Sequence, residues 1–246
     1  VSASPRIDVP FEPTPHPVVD AMLRLAKVGP GDLLIDLGSG DGRIAIAAAK
    51  AYGAEAVGID RDPRRVAEAR ERARRHGVAG RVKFLRGDLF EADLGKATAV
   101  SLFLSADANL GLRPRLLGLA PGTRIVSNEH DMDDWRPDST QALPTGHNPD
   151  DWRLFAWTVP AKVEGPWRLN VGGREADVRL VQRYQRFDGL AYMEGRRIPV
   201  RNGRLDGAGI GLDLLAAGDS GWRRLRGLVT PEGDIRGEGW NGRRLG

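Results

Sequence analysis

Between the apolar run Leu33-Leu34-Ile35 and a helical run opening at about Gly42 stands Asp36-Leu37-Gly38-Ser39-Gly40-Asp41-Gly42, and no other stretch restricts the fold as much. A strand that stops at alternating glycines and turns directly into a helix opens a β–α–β unit, where ligands bind beyond the carboxyl ends of parallel strands. Glycine tolerates a left-handed backbone and lets a ligand approach the main chain, and a helix start offers free N–H groups to a carboxylate or phosphate. A nicotinamide fingerprint needs G-x-G-x-x-G, and here the third glycine falls one place early. Asp36 would also repel a pyrophosphate.

The rest of the front half repeats the alternation. The pattern predicts strands over Leu33–Leu37, Ala56–Asp60, Val82–Leu85, Ala99–Leu104 and Thr123–Ser127, with a late strand over Leu154–Val159. Helices are expected over Gly42–Tyr52, from Pro63 to about His76, near Leu112–Leu119, and from near His16. Asp36, Asp60 and Asp88 end three successive strands. Asp36 can accept from an amino group or offset a cation, as the methionine end of S-adenosylmethionine presents. Asp60 can chelate two ribose hydroxyls and Asp88 can accept from an adenine amino group. Any one of them reads equally as a solvated loop acid or a helix cap; the three together point to a nucleoside that carries a cation.

After Pro160 the texture changes to apolar and polar residues in alternation, punctuated by glycine, as in Trp167-Arg168-Leu169-Asn170-Val171. Turn signals at Gly172-Gly173, Asn202-Gly203, Gly218-Asp219 and Glu232-Gly233 predict six to eight short antiparallel strands in a small sandwich or barrel, too irregular for a repeat. Two domains follow, residues 1–160 and 161–246. The first holds 21 Lys+Arg against 22 Asp+Glu and the second 16 against 11, so the tail carries +5 and the front −1. Such a surface suits an acidic protein, nucleic acid or an anionic membrane surface, and reads equally as solvated strand arginines.

With no cysteine, thiolate metal sites, disulfides and cysteine nucleophiles are excluded, and the four scattered histidines show no metal-ligand spacing. No run reaches the ~18 apolar residues of a membrane helix. Val1–Asp8 holds no apolar signal segment. A cytoplasmic location is expected from the cofactor, with export after removal of a leader as the alternative.

The motif Asp36 to Gly42, with Asp60 and Asp88, resembles the class I methyltransferases. Val9-Pro10-Phe11-Glu12-Pro13-Thr14-Pro15, Asp88-Leu89-Phe90, Phe103-Leu104-Ser105 with Asn109 and Leu112-Arg113-Pro114, and Pro121-Gly122-Thr123-Arg124 with Asp134-Trp135 are similar to one subgroup. That subgroup is the lysine methyltransferases that modify the ATP-synthase c-ring protein and the adenine nucleotide translocase, with their archaeal and bacterial relatives. The resemblance spans about Val9 to Val159. It implies an α/β fold, a Rossmann-like methyltransferase sheet with helices on both faces, followed here by a small antiparallel all-β domain. It further implies S-adenosylmethionine held by Thr14, Asp36, Gly38, Ser39, Gly40, Asp41, Gly42, Asp60, Arg61, Asp88 and Leu89.

The chain departs from the subgroup in having Phe11 for a tyrosine, Asn128-Glu129-His130 for a His-x-Phe stretch, and no proline in Ser105–Asn109. The acceptor pocket is expected to involve Phe11, Ser105, Asn109 and His130. The plainer readings are a core anchor for Phe11, a helix cap for Thr14 and a surface position for His130. No general base is required, because a desolvated lysine amine can lose its proton to water. The expected function is N-methylation of a protein lysine, the protein being acidic if the tail receives it. Methylation of RNA or a small metabolite, and a non-catalytic cofactor-binding module whose tail does the work, stay open.

Overall fold

The computed structural model describes residues 12–144, 152–215 and 221–245. The chain divides into two compact units, Val1–Thr158 and Val159–Gly246.

In the first unit, β1 (Leu33–Leu37), β2 (Glu55–Asp60), β3 (Val82–Arg86), β4 (Ala99–Leu102), β5 (Arg124–Asn128), β6 (Ser139–Leu143) and β7 (Trp152–Thr158) form one sheet in the order β3-β2-β1-β4-β5-β7-β6. The pairs among β1 to β5 are parallel, and β7 runs antiparallel to both β5 and β6. Strand order therefore reverses between β1 and β4, which opens a crevice at their carboxyl ends. The sequence pattern does not predict β6: Ser139–Leu143 is mostly exposed and shows no apolar alternation.

α1 (His16–Leu25), α2 (Arg43–Tyr52) and α3 (Pro63–Arg75) bury one face each in a common core with Leu34, Ala56, Phe84, Ala99 and Val126 from the strands. Asp62 caps α3 by accepting from the Arg64 N–H, and left-handed Gly77 follows its end. α4 (Ala106–Leu116) starts six residues before the expected Leu112, because the Ser105 hydroxyl accepts from the Ala108 N–H and caps it early. Pro114 sits inside it and hides the helix from a sequence reading.

The second unit is an antiparallel barrel of β8 (Gly165–Val171), β9 (Arg174–Arg183), β10 (Arg186–Met193), β11 (Arg196–Asp206), β12 (Gly209–Leu215), β13 (Trp222–Val229), β14 (Ile235–Gly237) and β15 (Trp240–Arg244), closed by β15 on β8. Alternate residues such as Val178 and Leu180, or Ile210, Leu212 and Leu214, fill its interior. Trp167 and Trp240 lie inside as well, their Nε1–H groups donating to the carbonyls of Val163 and Arg226. Asn202-Gly203 is not a hairpin turn, as expected, but a bulge within β11, where the register shifts between Arg201 and Arg204. A Cβ on Gly203 would stand 2.1 Å from the Phe187 carbonyl oxygen. The expected turn at Gly218-Asp219 lies outside the described residues.

Candidate functional site

Gly38, Gly40 and Gly42 all take positive φ, of 75°, 51° and 78°. The turn they form bonds to the end of β2: the N–H groups of Gly38 and Ser39 donate to the Ile59 carbonyl, and that of Gly40 donates to Asp60 Oδ2 at 2.8 Å. Gly42 N–H donates to the Ser39 carbonyl. These turn amides are therefore taken within the protein. Asp60 Oδ1 accepts from the Asp62 N–H, so one oxygen of this acid braces the turn and the other the start of α3.

Asp41 sits in an ion cluster. Its carboxylate takes a paired bond from Arg43 and a second ion pair from Arg72 on α3. Burial raises its pKa, but the Arg43 hydrogen bonds and the two guanidinium charges outweigh that and hold it below the usual carboxylate range. Arg43 Nη1 also donates to the Thr14 carbonyl at 2.7 Å. Asp41 thus fastens the turn to α3 and, through Arg43, to the segment before α1. Thr14 is buried and does not cap α1, which has no side-chain cap.

Asp36 is fully enclosed. Its Oδ1 accepts from the Ser101 hydroxyl at 2.7 Å and its Oδ2 has no partner. Burial pushes its carboxyl up to about 7, against the Ser101 hydrogen bond and with a further push from the charges of Asp60 and Asp41. Among the described residues the unpartnered buried side-chain atoms are Asp36 Oδ2, Ser39 Oγ, Asn109 Oδ1, and Asn128 Nδ2 and Oδ1. All four residues belong to the carboxyl edge of β1 to β5 or to the helix beside it, and none to the barrel. Native proteins leave few such atoms unpaired, because each costs about 1–3 kcal/mol. Their concentration at one edge marks a ligand site. A buried, half-satisfied carboxylate with the charge of Asp60 nearby fits a cationic ligand, as the α-ammonium and sulfonium of S-adenosylmethionine would provide.

Asp88 is exposed and turns the chain by accepting from the Phe90 N–H at 2.8 Å, with Leu89 half-buried beside it and Arg61 exposed after β2. The connection 87–98 between β3 and β4 carries no helix. The sheet face carrying Ile35, Val57, Ile59 and Leu85 borders a groove of about 470 Å³, which Asp88 also lines.

The residues expected around the acceptor are mostly engaged elsewhere. Ser105 caps α4. Asn109 Nδ2 donates to Ser127 Oγ at 3.0 Å and to the His130 carbonyl at 2.9 Å, which pins the chain leaving β5. His130 is half-buried and contributes that carbonyl. Phe11 lies outside the described residues. Ser101 and Ser127 escaped the sequence reading, and Asn128 entered it only as part of the departure from the subgroup's His-x-Phe stretch, although each is a polar residue inside an otherwise apolar, fully buried strand end.

Residues 36–139 match a family model described as the ANTKMT methyltransferase domain. A protein-lysine N-methyltransferase from Saccharolobus islandicus is 42% identical over 141 residues, covering 56% of this chain and 88% of that protein. The adenine nucleotide translocase lysine N-methyltransferase of Mus musculus is 35% identical over 133 residues, and there the match covers 54% of this chain and 58% of the mouse enzyme, a little over half its length. An RNA methyltransferase from Salinibacter ruber, solved in complex with S-adenosyl-L-homocysteine, is 49% identical with a TM-score of 0.58, covering 62% of this chain and 96% of that one.

Proposed function

The chain belongs to the ANTKMT methyltransferase family and is an S-adenosylmethionine-dependent enzyme, and from that premise we propose that it methylates the side-chain amine of a lysine in a protein. The observation that carries the choice of acceptor is the 42% identity to a protein-lysine N-methyltransferase over 88% of that enzyme's length. Bound S-adenosylmethionine supplies a methyl group on a positively charged sulfur. Asp36 would hold the cationic amino-acid end, Asp60 the ribose, and Asp88 the adenine edge. The remaining task of the chain is to align an unprotonated amine with the methyl carbon and to exclude water. Incubation of proteins, RNA and metabolites from a lysate with methyl-labelled cofactor tests the acceptor. Label on lysine side chains is expected, and label confined to RNA, the acceptor class named for the Salinibacter ruber relative, would overturn the reading.

The barrel supports an acidic protein partner. Strand registers place Arg183 opposite Arg186, Arg186 opposite Arg204, Arg204 opposite Gly211 and Gly211 opposite Arg226. These four arginines are exposed, so one row across five strands sets four arginines about Gly211, against which the Arg224 guanidinium also lies. With the net charge of +5 after Pro160, this concentration of arginines on one face suits an acidic segment.

A further inference from the structure

Asn128 is the last residue of β5 and is completely buried, yet neither its Nδ2 nor its Oδ1 has a hydrogen-bond partner. Asn109 is just as buried but only half unpartnered: its amide nitrogen is held by Ser127 and the His130 carbonyl, and only its Oδ1 is left over. Side chains alternate along a strand, so Asn128 shares the sheet face of Val126, which packs in the core with α1 and α2. Asp36 shares that face with Leu34, and Ser101, its neighbour in register on β4, donates to it. Asp36, Ser101 and Asn128 therefore lie on one face at the carboxyl ends of β1, β4 and β5.

Strand order separates their roles. The groups read as holding the cofactor end β1, β2 and β3, on one side of the reversal between β1 and β4. Asn128 ends β5 on the other side, two strands and about 10 Å from β1. A nucleophile must enter opposite the departing sulfur, and the β5 side is the free one. The chain beside Asn128 is suited to a cation. Glu129 follows it with a positive φ of 66°, and two charges act on Glu129, that of Glu12, from the segment that leads to buried Thr14, and the opposite one of His130, so acids outnumber bases there.

We propose that Asn128 is the hydrogen-bonding partner of the methyl-accepting amine, with Glu129 and Glu12 drawing the cationic group to it; this rests on the reading of the chain as an amine methyltransferase. The incoming ammonium first loses a proton to water. Asn128 Oδ1 accepts one remaining N–H, which fixes the direction of the lone pair. That pair forms the N–C bond as the C–S bond breaks and its electrons stay on sulfur. The product then carries the positive charge and leaves past the two glutamates.

Asn128→Leu, close in size and without polar atoms, tests this in the full chain, with Asn128→Asp as the variant that keeps an acceptor oxygen. Three quantities are read: melting temperature, affinity for S-adenosylhomocysteine by calorimetry, and kcat and KM on whichever acceptor the wild type labels. For Asn128→Leu the expected result is an unchanged or higher melting temperature, affinity within about threefold, and kcat lowered about a hundredfold or more, with part of the loss recovered in Asn128→Asp. A kcat within about threefold of wild type overturns the proposal, as does an affinity loss beyond about tenfold, which would assign Asn128 to the cofactor. A melting temperature that falls together with activity makes Asn128 a packing residue and also overturns it. If the leucine variant does not fold, Asn128→Ser is read in the same way. Label on RNA instead of protein would sink the lysine reading alone, because the comparison at Asn128 is then made on that acceptor.

Discussion

Asp36 concentrates the electrostatics of the site in one carboxyl group. In the folded protein, burial raises it to about 7 from an ordinary value near 3.8. A folded-state pKa raised above the unfolded one gives stability that is complete below the unfolded value and lost as pH climbs through the folded one. The ligand-free protein should therefore weaken between about pH 4 and pH 7 on account of this group. Asp36→Asn, neutral throughout and still able to accept from Ser101, should match wild type near pH 4 and exceed it at pH 8, by an upper bound of about 4 kcal/mol. Cofactor binding should show the opposite dependence, because only the ionised form offsets a cation. Affinity for S-adenosylhomocysteine is expected to fall about tenfold per unit as pH drops below 7, and Asp36→Asn should be weak and flat across the range. Calorimetric titrations from pH 5.5 to 8.5 check both; a flat wild-type profile would remove Asp36 from the site.

At the scale of elements, the third glycine of the turn answers to packing. Gly42 is left-handed, and a Cβ on it would stand 2.4 Å from Phe84 Cζ and 2.9 Å from Ala69 Cβ. Gly58 leaves room for the same ring, since a Cβ on it would stand 2.5 Å from Phe84 Cδ1. The turn, β2, β3 and α3 thus close around Phe84. Gly77 after α3 has a similar φ of 71° and nothing within 4 Å. Replacing either glycine with alanine should cost about 1–2 kcal/mol for the left-handed backbone, and Gly42→Ala a further ~1–3 kcal/mol for overpacking against Phe84. Thermal melts of the two variants separate the contributions, and equal losses would show that Phe84 yields freely. The spacing of the glycines made the turn legible in the sequence. Its clamp on Phe84 was not, because that partner arrives from a strand more than forty residues later.

At the scale of the whole molecule, the two units have separate cores, one gathered on the mixed sheet and one inside the barrel. A chain ending at Pro160 should melt cooperatively and bind S-adenosylhomocysteine as the full chain does, and aggregation or lost affinity would show that the units depend on one another. On the proposal of an acidic partner, the truncated enzyme should have a raised KM for the physiological protein and an unchanged one for a short lysine peptide. That difference should shrink with salt, since exposed charges are screened beyond about 8 Å at physiological ionic strength. A difference that persists at high salt would mean recognition by shape, with the arginine row a solvated surface.

The sequence by itself determined the strand–turn–helix opening, the parallel sheet, the acids at the ends of β1, β2 and β3, and the change to period-two texture after Pro160. All of these are local, written in runs of a few residues whose periodicity or backbone freedom allows one conformation. Only the tertiary structure decided which acid does what, because partners determine that. Asp41 was drawn to Arg43 and Arg72, Asp60 was bound to the turn, and Asp36 was left half-satisfied beside Ser101. The same holds for the closed barrel, which depends on β15 finding β8 about seventy residues earlier, and for Asn128. An asparagine at the end of an apolar strand is ordinary in sequence. Its meaning comes from an enclosed position in which other elements fill every contact except the polar ones.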